Sequence, residues 1–417
     1  MSVTFSRLGS ANTYDNAVSN LSDRQATLSS LQENLTSGKR VVRASDDPTG
    51  AAQAERALTR LSRIATDQRA LESQRNAITI AESTLGDVSN ALQNFRELVV
   101  SAGSGGQTGT DRKTIANQLM GLRDQIVSLS NRKDSNGLPL FSALGSALAP
   151  FTGPNAPPLD YTFNGLPGQS ASNEFAIPST LDGDSAFMLQ SARDGVYNVN
   201  TSMIPSTRTL TTSNVTVTNT ALVTTSAYSI AIANVDTTTV PGTTTVTYDV
   251  TENPNITGPF TGLTASYPST QSANFAVTAM PGLSLTITGT PAIGDTLAVT
   301  ASPSVFSVLD NAIRDIGSAV NGNAATQAVA QALGNIDIGM SRVSAIRGQA
   351  GDLLNRADSI TSDQSKRAIQ MEADRSRAED MDMIQGISDF QKQQTGYQVA
   401  LQSYAQIQKL SLFNYLS

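Results

Sequence analysis

The chain has 417 residues, 28 of them basic and 35 acidic, and it contains no His, Cys or Trp. Without His or Cys it cannot form a Ser-His-Asp triad, a Cys–His dyad or a metal site built on imidazole or thiolate. The acidic pairs Asp46-Asp47 and Asp182/Asp184 are better explained by helix capping and by a turn than by a catalytic or metal site, and we predict that the chain is not an enzyme and has no cofactor or metal. The net charge of −7 also makes nucleic acid an unfavourable partner, because phosphates require a basic surface.

Proline and charge are unevenly distributed along the chain. Residues 142–304 hold 14 of the 16 prolines, together with nine acidic and two basic side chains, whereas the flanking segments are neutral. Because proline interrupts helices, the flanks can form long helices and the middle cannot. The pattern predicts two helical ends separated by an inserted β region.

The first predicted element is a helix over residues 10–36. Apolar side chains recur along it every seven residues, with two more beside that edge, as in a coiled coil. Because this edge lies near the end of the chain with little else to cover it, we predict that it contacts another subunit. The edge consists of Tyr14, Val18, Leu21, Leu28, Leu31 and Leu35.

A helix stop and a helix start follow between Ser37 and Pro48. Gly38 suits the position just after a helix, because glycine accepts a left-handed backbone. Asp46 and Asp47 offer oxygens to a helix N-terminus, and Pro48 suits the first turn, where its missing N–H needs no partner. We therefore predict a helix-capping turn that contains Gly38, Asp46, Asp47 and Pro48.

Two further helices are predicted before the middle region. One covers residues 48–100, and the next is capped by Thr110 or Asp111. Their apolar edges, at residues 61–99 and 115–129, step by three and four positions. We interpret these two edges as intramolecular core.

The middle of the chain is rich in Thr, Ser and Gly. Apolar and polar residues alternate over residues 215–217, 228–232, 245–248 and 283–288, as in half-buried strands, and turn-forming pairs separate these segments. We predict two small β units. Because the insert has no heptad edge, we expect it to contribute nothing to the helical core.

Helix resumes at about Val305, and residues 321–323 (Asn-Gly-Asn) interrupt it. In the long helix that follows, the apolar edge weakens and charge accumulates from Arg367 to Met381, which predicts a bend or loop there. The last helix has a second apolar edge near the chain end, and we predict that this edge also contacts another subunit. The edge begins at Met383, and the predicted contact residues on it are Ile387, Phe390, Tyr397, Leu401 and Tyr404.

These elements predict a mixed fold, in which N- and C-terminal segments pair into a long coiled-coil or bundle rod with an inserted all-β region. A rod with apolar edges at both chain ends needs neighbouring subunits to cover them. The predicted domains are residues 1–42 with 380–417 (terminal coiled coil), 43–141 with 305–379 (helical rod), 142–195 (small β unit) and 196–304 (second β unit).

Three segments, in this order along the chain, resemble the flagellin family of bacterial axial proteins. They are residues 35–48, which contain Leu-Thr-Ser-Gly-Lys-Arg-Val and Ser-Asp-Asp-Pro; residues 131–142, which contain Asn-Arg-Lys-Asp-Ser-Asn-Gly and Leu-Phe-Ser; and residues 410–416, Leu-Ser-Leu-Phe-Asn-Tyr-Leu. Pro48 and the ending Phe-Asn-Tyr-Leu look more like the family members at the hook–filament junction than like filament subunits.

The resemblance implies a structural protein of the bacterial flagellum that forms the layer between hook-associated protein 1 and the filament. The implied partners are further copies of itself, hook-associated protein 1, filament flagellin and a flagellar export chaperone. Two alternatives stay open. One is a filament-forming flagellin, and the other is a secreted coiled-coil adhesin with a β head.

The start of the chain, residues 1–7, has no basic stretch followed by an apolar core, and no run of roughly 18 apolar residues occurs anywhere. We therefore expect no cleaved signal peptide and no membrane insertion. The resemblance implies secretion by the flagellar type III export route to the hook–filament junction, and the lack of Cys suits a chain that travels unfolded.

Overall fold

The computed structural model describes residues 10–155, 160–203, 206 and 208–416, with side chains described between residues 15 and 406 of these ranges. The chain forms two compact units, Met1–Arg69 with Thr361–Ser417, and Ala70–Ile360. Helix accounts for 53% of the structure, and the predicted fold class, with long terminal helices and an inserted β region, is confirmed. The division into four domains stays a prediction.

The helices lie close to their predicted bounds, and α2 and α7 contribute residues to both units. The helices are α1 (Ser10–Ser37), α2 (Pro48–Ala102), α3 (Gly109–Ser130), α4 (Gly183–Phe187), α5 (Ser191–Asp194), α6 (Val305–Ser318), α7 (Gly322–Glu379) and α8 (Met383–Leu416). The strands are β1 (Phe151–Thr152), β2 (Thr162–Phe163), β3 (Tyr197–Ser202), β4 (Leu210–Thr212), β5 (Thr216–Val217), β6 (Ala227–Asp236), β7 (Thr243–Asn253), β8 (Phe260–Pro268), β9 (Ala273–Val277), β10 (Leu283–Gly289) and β11 (Thr296–Ala301).

The N-terminus of α3 differs from the prediction. Its cap is Thr108, rather than Thr110 or Asp111. The Thr108 hydroxyl accepts a hydrogen bond from Asp111 N (3.2 Å), and Asp111 Oδ2 accepts one from Thr108 N (2.9 Å). These reciprocal bonds form a capping box, and the hydrogen bonds that the Thr108 hydroxyl and N–H donate lower the pKa of Asp111.

The predicted interruption near the end of α7 is confined to residues 380–382. The helix continues to Glu379, and α8 begins at Met383. Arg375 forms ion pairs with Glu372 (2.7 Å) and with Glu379 (3.0 Å), each about one helical turn away. These pairs support the last turns of α7 where its apolar edge is weak.

Within the unit Ala70–Ile360, helices α2, α3, α6 and α7 share one apolar core. The prediction of intramolecular core is confirmed for this part of the two predicted edges, whereas Leu61 and Ile64, outside this unit, are only half-buried. The buried positions of α2 and α3 include Leu71, Ile78, Leu85, Leu92, Phe95, Val99, Leu119 and Ile126.

A cluster of aromatic side chains extends this core into the first part of the insert. The ring centroid of Phe306, at the start of α6, lies 5.4 Å from that of Phe151, 5.0 Å from that of Tyr161 and 5.5 Å from that of Phe187. All four side chains are buried. The expectation that the insert contributes nothing to the helical core is therefore wrong for this part, since these aromatic residues pack there without helical or strand spacing.

A buried charged group lies beside the aromatic cluster. The Tyr161 hydroxyl donates a hydrogen bond to Asp310 Oδ2 (3.0 Å), and Arg123 donates to Asp310 and to the Tyr161 oxygen (3.1 Å). Burial raises the pKa of Asp310 despite the adjacent Arg123. Burial and the nearby Asp310 charge raise the pKa of Tyr161 to about 12. The group joins Tyr161 of the insert to α3 and α6.

The rest of the insert forms two antiparallel sheets. The larger sheet has the strand order β3-β11-β6-β7-β8. In the smaller sheet, β10 pairs with β9 along one edge and with β4 and β5 along the other. Alternating side chains of both sheets, among them Ile230, Val250, Ile287 and Val299, form a second core, as the period of two predicts.

Amide side chains of α7 join this β region to the helices. Gln331 Oε1 accepts a hydrogen bond from Val199 N (3.1 Å). Asn335 Nδ2 donates one to Tyr197 O (2.9 Å). Both amides are buried, so β3 is held by specific polar contacts rather than by a shared apolar surface.

We predict that the β region can be removed without unfolding the helical core, but only along one boundary. Ser302 N donates a hydrogen bond to Val196 O at 3.0 Å, so a short Gly/Ser linker can replace residues 197–301. Replacement of residues 146–302 instead removes three aromatic partners of Phe306, and each large aromatic side chain lost from a core costs about 3–5 kcal/mol.

Thermal unfolding followed by far-ultraviolet circular dichroism compares the two deletions. The variant that lacks residues 197–301 should keep a cooperative helical transition, and the variant that lacks residues 146–302 should lose it or unfold at a much lower temperature. Equal stability of the two variants would show that the aromatic cluster does not stabilise the helices.

Candidate assembly interface

Helices α1 and α8 pack against each other in the unit Met1–Arg69 with Thr361–Ser417. Two glycines of α8 mark the close approach. A β-carbon at Gly386 would lie 3.2 Å from Leu35 Cδ2, and one at Gly396 would lie 3.0 Å from Arg24 Nη1. As the sequence number falls along α1 it rises along α8, so the two helices are antiparallel.

The predicted contact residues on these two helices are incompletely covered. Val18, Ile387 and Leu401 are 42%, 46% and 42% exposed. The side chain of Tyr14 lies outside the described residues. The other predicted residues are half-buried, namely Leu21, Leu28, Leu31, Leu35, Phe390, Tyr397 and Tyr404. The helix pair therefore leaves apolar surface on both helices that a further helix could cover, and the role of these residues in assembly stays a prediction.

Two further apolar side chains of α8 were missed by the heptad analysis. Ile384 and Val399 are 85% and 55% exposed. They lie off the edge that Ile387 and Leu401 define, so a single heptad register does not find them. Met383, which is 45% exposed, lies on that edge one turn before Ile387. The signal in the sequence is that apolar residues of α8 occur on more than one helical face, as in helices with several neighbours.

The turn after α1 contacts the segment that joins α7 to α8. Gly38 has a φ of +72°, in the left-handed region that glycine favours. Its carbonyl oxygen accepts a hydrogen bond from Met381 N (3.0 Å), and Arg40 N donates to Glu379 O (2.8 Å). Lys39 also forms an ion pair with Glu379. These contacts therefore hold the connection between α1 and α2 against the connection between α7 and α8.

Asp47 is the residue that caps α2. Its Oδ1 accepts hydrogen bonds from Thr49 N (3.1 Å) and Gly50 N (2.9 Å), with Pro48 at the first helical position. Arg40 donates to Asp47 Oδ2 (3.0 Å). The hydrogen bond from Gly50, followed by that from Arg40, lowers the pKa of Asp47.

Its neighbour Asp46 has a different role, because its carboxylate closes the preceding turn by accepting a hydrogen bond from Arg43 N (2.8 Å). Gly50 was not recognised from the sequence. A β-carbon there would lie 2.6 Å from Asp47 Oδ2 and 3.1 Å from Ala378 O, so only glycine fits between the cap and α7. The sequence signal for this role is that Gly50 lies three residues after Asp47, the position whose N–H a capping side chain binds.

Both helical ends of the chain match a known protein family. Residues 10–145 match the bacterial flagellin N-terminal helical region, and residues 333–416 match the bacterial flagellin C-terminal helical region. The chain belongs to the bacterial flagellin family. Together the two matched regions cover more than half of its length, and they include α1, α8 and the capping turn between α1 and α2.

Curated relatives include two proteins named flagellar hook-associated protein 3. The chain is 34% identical to that of Salmonella typhimurium over 148 residues, 35% of this chain and 46% of the relative. It is 34% identical to that of Escherichia coli over 142 residues, 33% of this chain and 44% of the relative. The chain thus spans less than half the length of these relatives. Flagellin 1 of Proteus mirabilis is 34% identical over 145 residues, 33% of this chain and 37% of that flagellin.

Two solved structures share the fold. The flagellar junction protein FlgL of Legionella pneumophila is 22% identical with a TM-score of 0.58, and the match covers 74% of this chain and 99% of that one. The FlgL of Xanthomonas campestris is 23% identical with a TM-score of 0.56, over 76% and 98% of the two chains. At these identities the likeness describes the fold alone.

The relatives are flagellar proteins and not enzymes, so the prediction of a non-enzymatic chain is confirmed. In the part of the chain that the structure describes, no helix combines the length and apolar character needed to cross a membrane. Over the same residues, no three His, Cys, Asp or Glu side chains lie close enough together to hold a metal ion.

We predict that Asp47 stabilises this unit through its cap and its ion pair separately. Asp47→Asn keeps an oxygen for the helix N-terminus but loses the charge beside Arg40, whereas Asp47→Ala loses both. The melting temperature at pH 7 should therefore fall in the order wild type, Asp47→Asn, Asp47→Ala. Glu55→Gln, at an exposed carboxylate further along α2, is the matched control and should change little.

The pH dependence of these variants follows from the lowered pKa of Asp47. A carboxylate whose folded pKa lies below its unfolded value contributes stability above that unfolded value and loses it as the pH falls through the folded pKa. The difference between wild type and Asp47→Asn should therefore begin to shrink near pH 3.8 and disappear as the pH falls through the lowered pKa of folded Asp47. A difference that persisted at lower pH would mean that the charge of Asp47 is not its cause.

Proposed function

We propose that this chain is a structural protein of the bacterial flagellum that forms the junction layer between hook-associated protein 1 and the filament. Copies of the chain associate through coiled-coil contacts of α1 and α8, and filament flagellin binds on the distal side. The chain reaches this place through the flagellar type III export route, with an export chaperone as a transient partner.

The observation that carries this proposal is the incomplete burial of two amphipathic helices that already pack on each other. Val18 of α1 and Leu401 of α8 remain more than 40% exposed in the helix pair. Burying a large apolar side chain contributes about 1.5–3 kcal/mol, so a repeated row of such positions favours association with neighbouring copies. The junction position is supported by the relatives named flagellar hook-associated protein 3.

Deletion of the gene tests the position of the chain in the flagellum. Under the proposal, cells without the chain assemble hooks, and they release filament protein into the medium because nothing retains it. Electron microscopy and analysis of the culture supernatant measure both results. Cells whose main filament protein disappears altogether would instead identify a filament-forming flagellin.

Leu401→Asp in the full-length chain tests the helix contact. We predict that this charge, placed in a surface that becomes apolar on assembly, prevents retention of the filament while export and circular dichroism of the purified protein stay normal. Ser403→Asp, at an exposed position on the opposite side of α8, is the matched control and should support swimming. Normal swimming with Leu401→Asp would exclude this edge from the assembly contact.

A further inference from the structure

Two helices of the unit Met1–Arg69 with Thr361–Ser417 carry opposite charges. α1 contains three carboxylates and one arginine, a net charge of −2. Residues 48–69 of α2 contain four arginines and two carboxylates, a net charge of +2. Opposite charges on two surfaces of one chain allow the surface of one copy to bind the other surface of the next.

The positive charge of α2 is concentrated in an arginine stripe, which consists of Arg56, Arg60 and Arg63. The spacing of four and three residues places these side chains on one face of the helix. All three are exposed, and among the residues that the structure describes they form no hydrogen bond or ion pair. Other arginines of this unit, such as Arg40 and Arg375, have carboxylate partners.

The arginine stripe borders a cleft of about 330 Å³ between α2 and α7. Arg56 and Arg60 line one wall, and Met371 and Arg377 line the other. Arg377 forms an ion pair with Asp374, which also lines the cleft, at 2.7 Å. Among the described residues that line the cleft, Arg56 and Arg60 are therefore the cationic side chains that have no carboxylate partner. The cleft therefore offers positive charge above a partly apolar floor.

The negative charge of α1 includes an acidic face formed by Asp15 and Asp23. Both side chains are exposed, and within the described part of the chain neither carboxylate has a hydrogen-bond or ion-pair partner. They are eight residues apart, roughly 12 Å along the helix, while Arg56 and Arg63 are roughly 10 Å apart. The helical positions place the acidic face on the side of α1 away from the apolar edge at Leu21 and Leu28.

We propose that the arginine stripe of one copy binds the acidic face of α1 in a second copy. The inference rests on the proposed function, because it concerns the contact between copies in the same assembly. The two surfaces differ, so the contact is heterologous and can repeat around a closed layer. Exposed charge pairs of this kind fix the register between copies and disfavour wrong pairings, while the apolar edges of α1 and α8 supply the affinity.

Charge reversal in the full chain tests the pairing. Arg56→Glu with Arg60→Glu should abolish filament retention, and so should Asp15→Lys with Asp23→Lys, since each change places like charges opposite each other. A chain that carries all four changes should regain retention, because the charges are again complementary. Lys113→Glu, an exposed reversal on α3 outside the stripe, should leave swimming intact.

Retention of filaments by either double variant would overturn the proposal. So would failure of the fourfold variant to regain function when circular dichroism shows that all variants are folded. The proposal is supported if both double variants fail and the fourfold variant retains filaments. Two unrelated structural defects would add to each other in the fourfold variant and would not restore function.

Cross-linking gives a readout that does not depend on the junction itself. Because the chain has no Cys, one population can carry Thr59→Cys beside the stripe and another Ser19→Cys between the two aspartates. In cells that make both, a short bis-maleimide should join a residue-59 chain to a residue-19 chain. Absence of this mixed product would overturn the pairing even where the filaments attach, and its presence would support the pairing even if the chain occupied another place in the flagellum.

Discussion

Two helices that pack only on each other cannot bury apolar side chains that extend over more than one face. This constraint applies to α1 and α8, which pack on each other but leave Val18, Ile384 and Leu401 exposed. The unit Ala70–Ile360 does not share it, because four helices and an aromatic cluster there enclose Leu92, Phe95 and their neighbours completely. The contrast supports the prediction that further copies cover the terminal helices.

The insert is attached by two kinds of contact with different consequences. Its first part is built into the helical core, where Phe151 and Phe187 pack on Phe306 and Asp310 binds Tyr161. The two sheets that follow have their own apolar core and are joined to α7 by amide side chains. The sheets can therefore vary in size or sequence without disturbing the helices, whereas the first part of the insert cannot.

Much of the helical fold could be predicted from the sequence, because heptad spacing and proline positions are local signals. Strands β6, β7 and β10 were also found by alternation, whereas β3, β8 and β11 were not distinguished. The aromatic cluster could not be predicted, since Phe151, Tyr161 and Phe187 come from short, separate elements at distant positions and pack on Phe306 without a regular spacing. For the candidate interface, the apolar edges and the turn at Asp47 were found from local pattern. The close fit of Gly50 against α7 depends on tertiary structure.

The sequence analysis also used charge, but only as a sum over long segments and not residue by residue. Summed over long segments, the flanks are neutral, which hides the opposite charges of α1 and the first turns of α2. Only the placement of each carboxylate and guanidinium on a helical face shows which of them lack partners. In the proposed assembly, the apolar edges and the charged faces belong to one surface between copies, with apolar contacts for affinity and charges for register.

The central claim is that neighbouring copies complete the terminal helix pair, and hydrogen exchange tests it most directly. Amides of residues 15–37 and 383–406 should exchange quickly in the purified chain compared with residues 78–99 of α2. In hook–filament junctions isolated from cells they should become strongly protected. Equal protection of these terminal segments in the free and the assembled chain would contradict the account, because the helix pair would then be complete without neighbours.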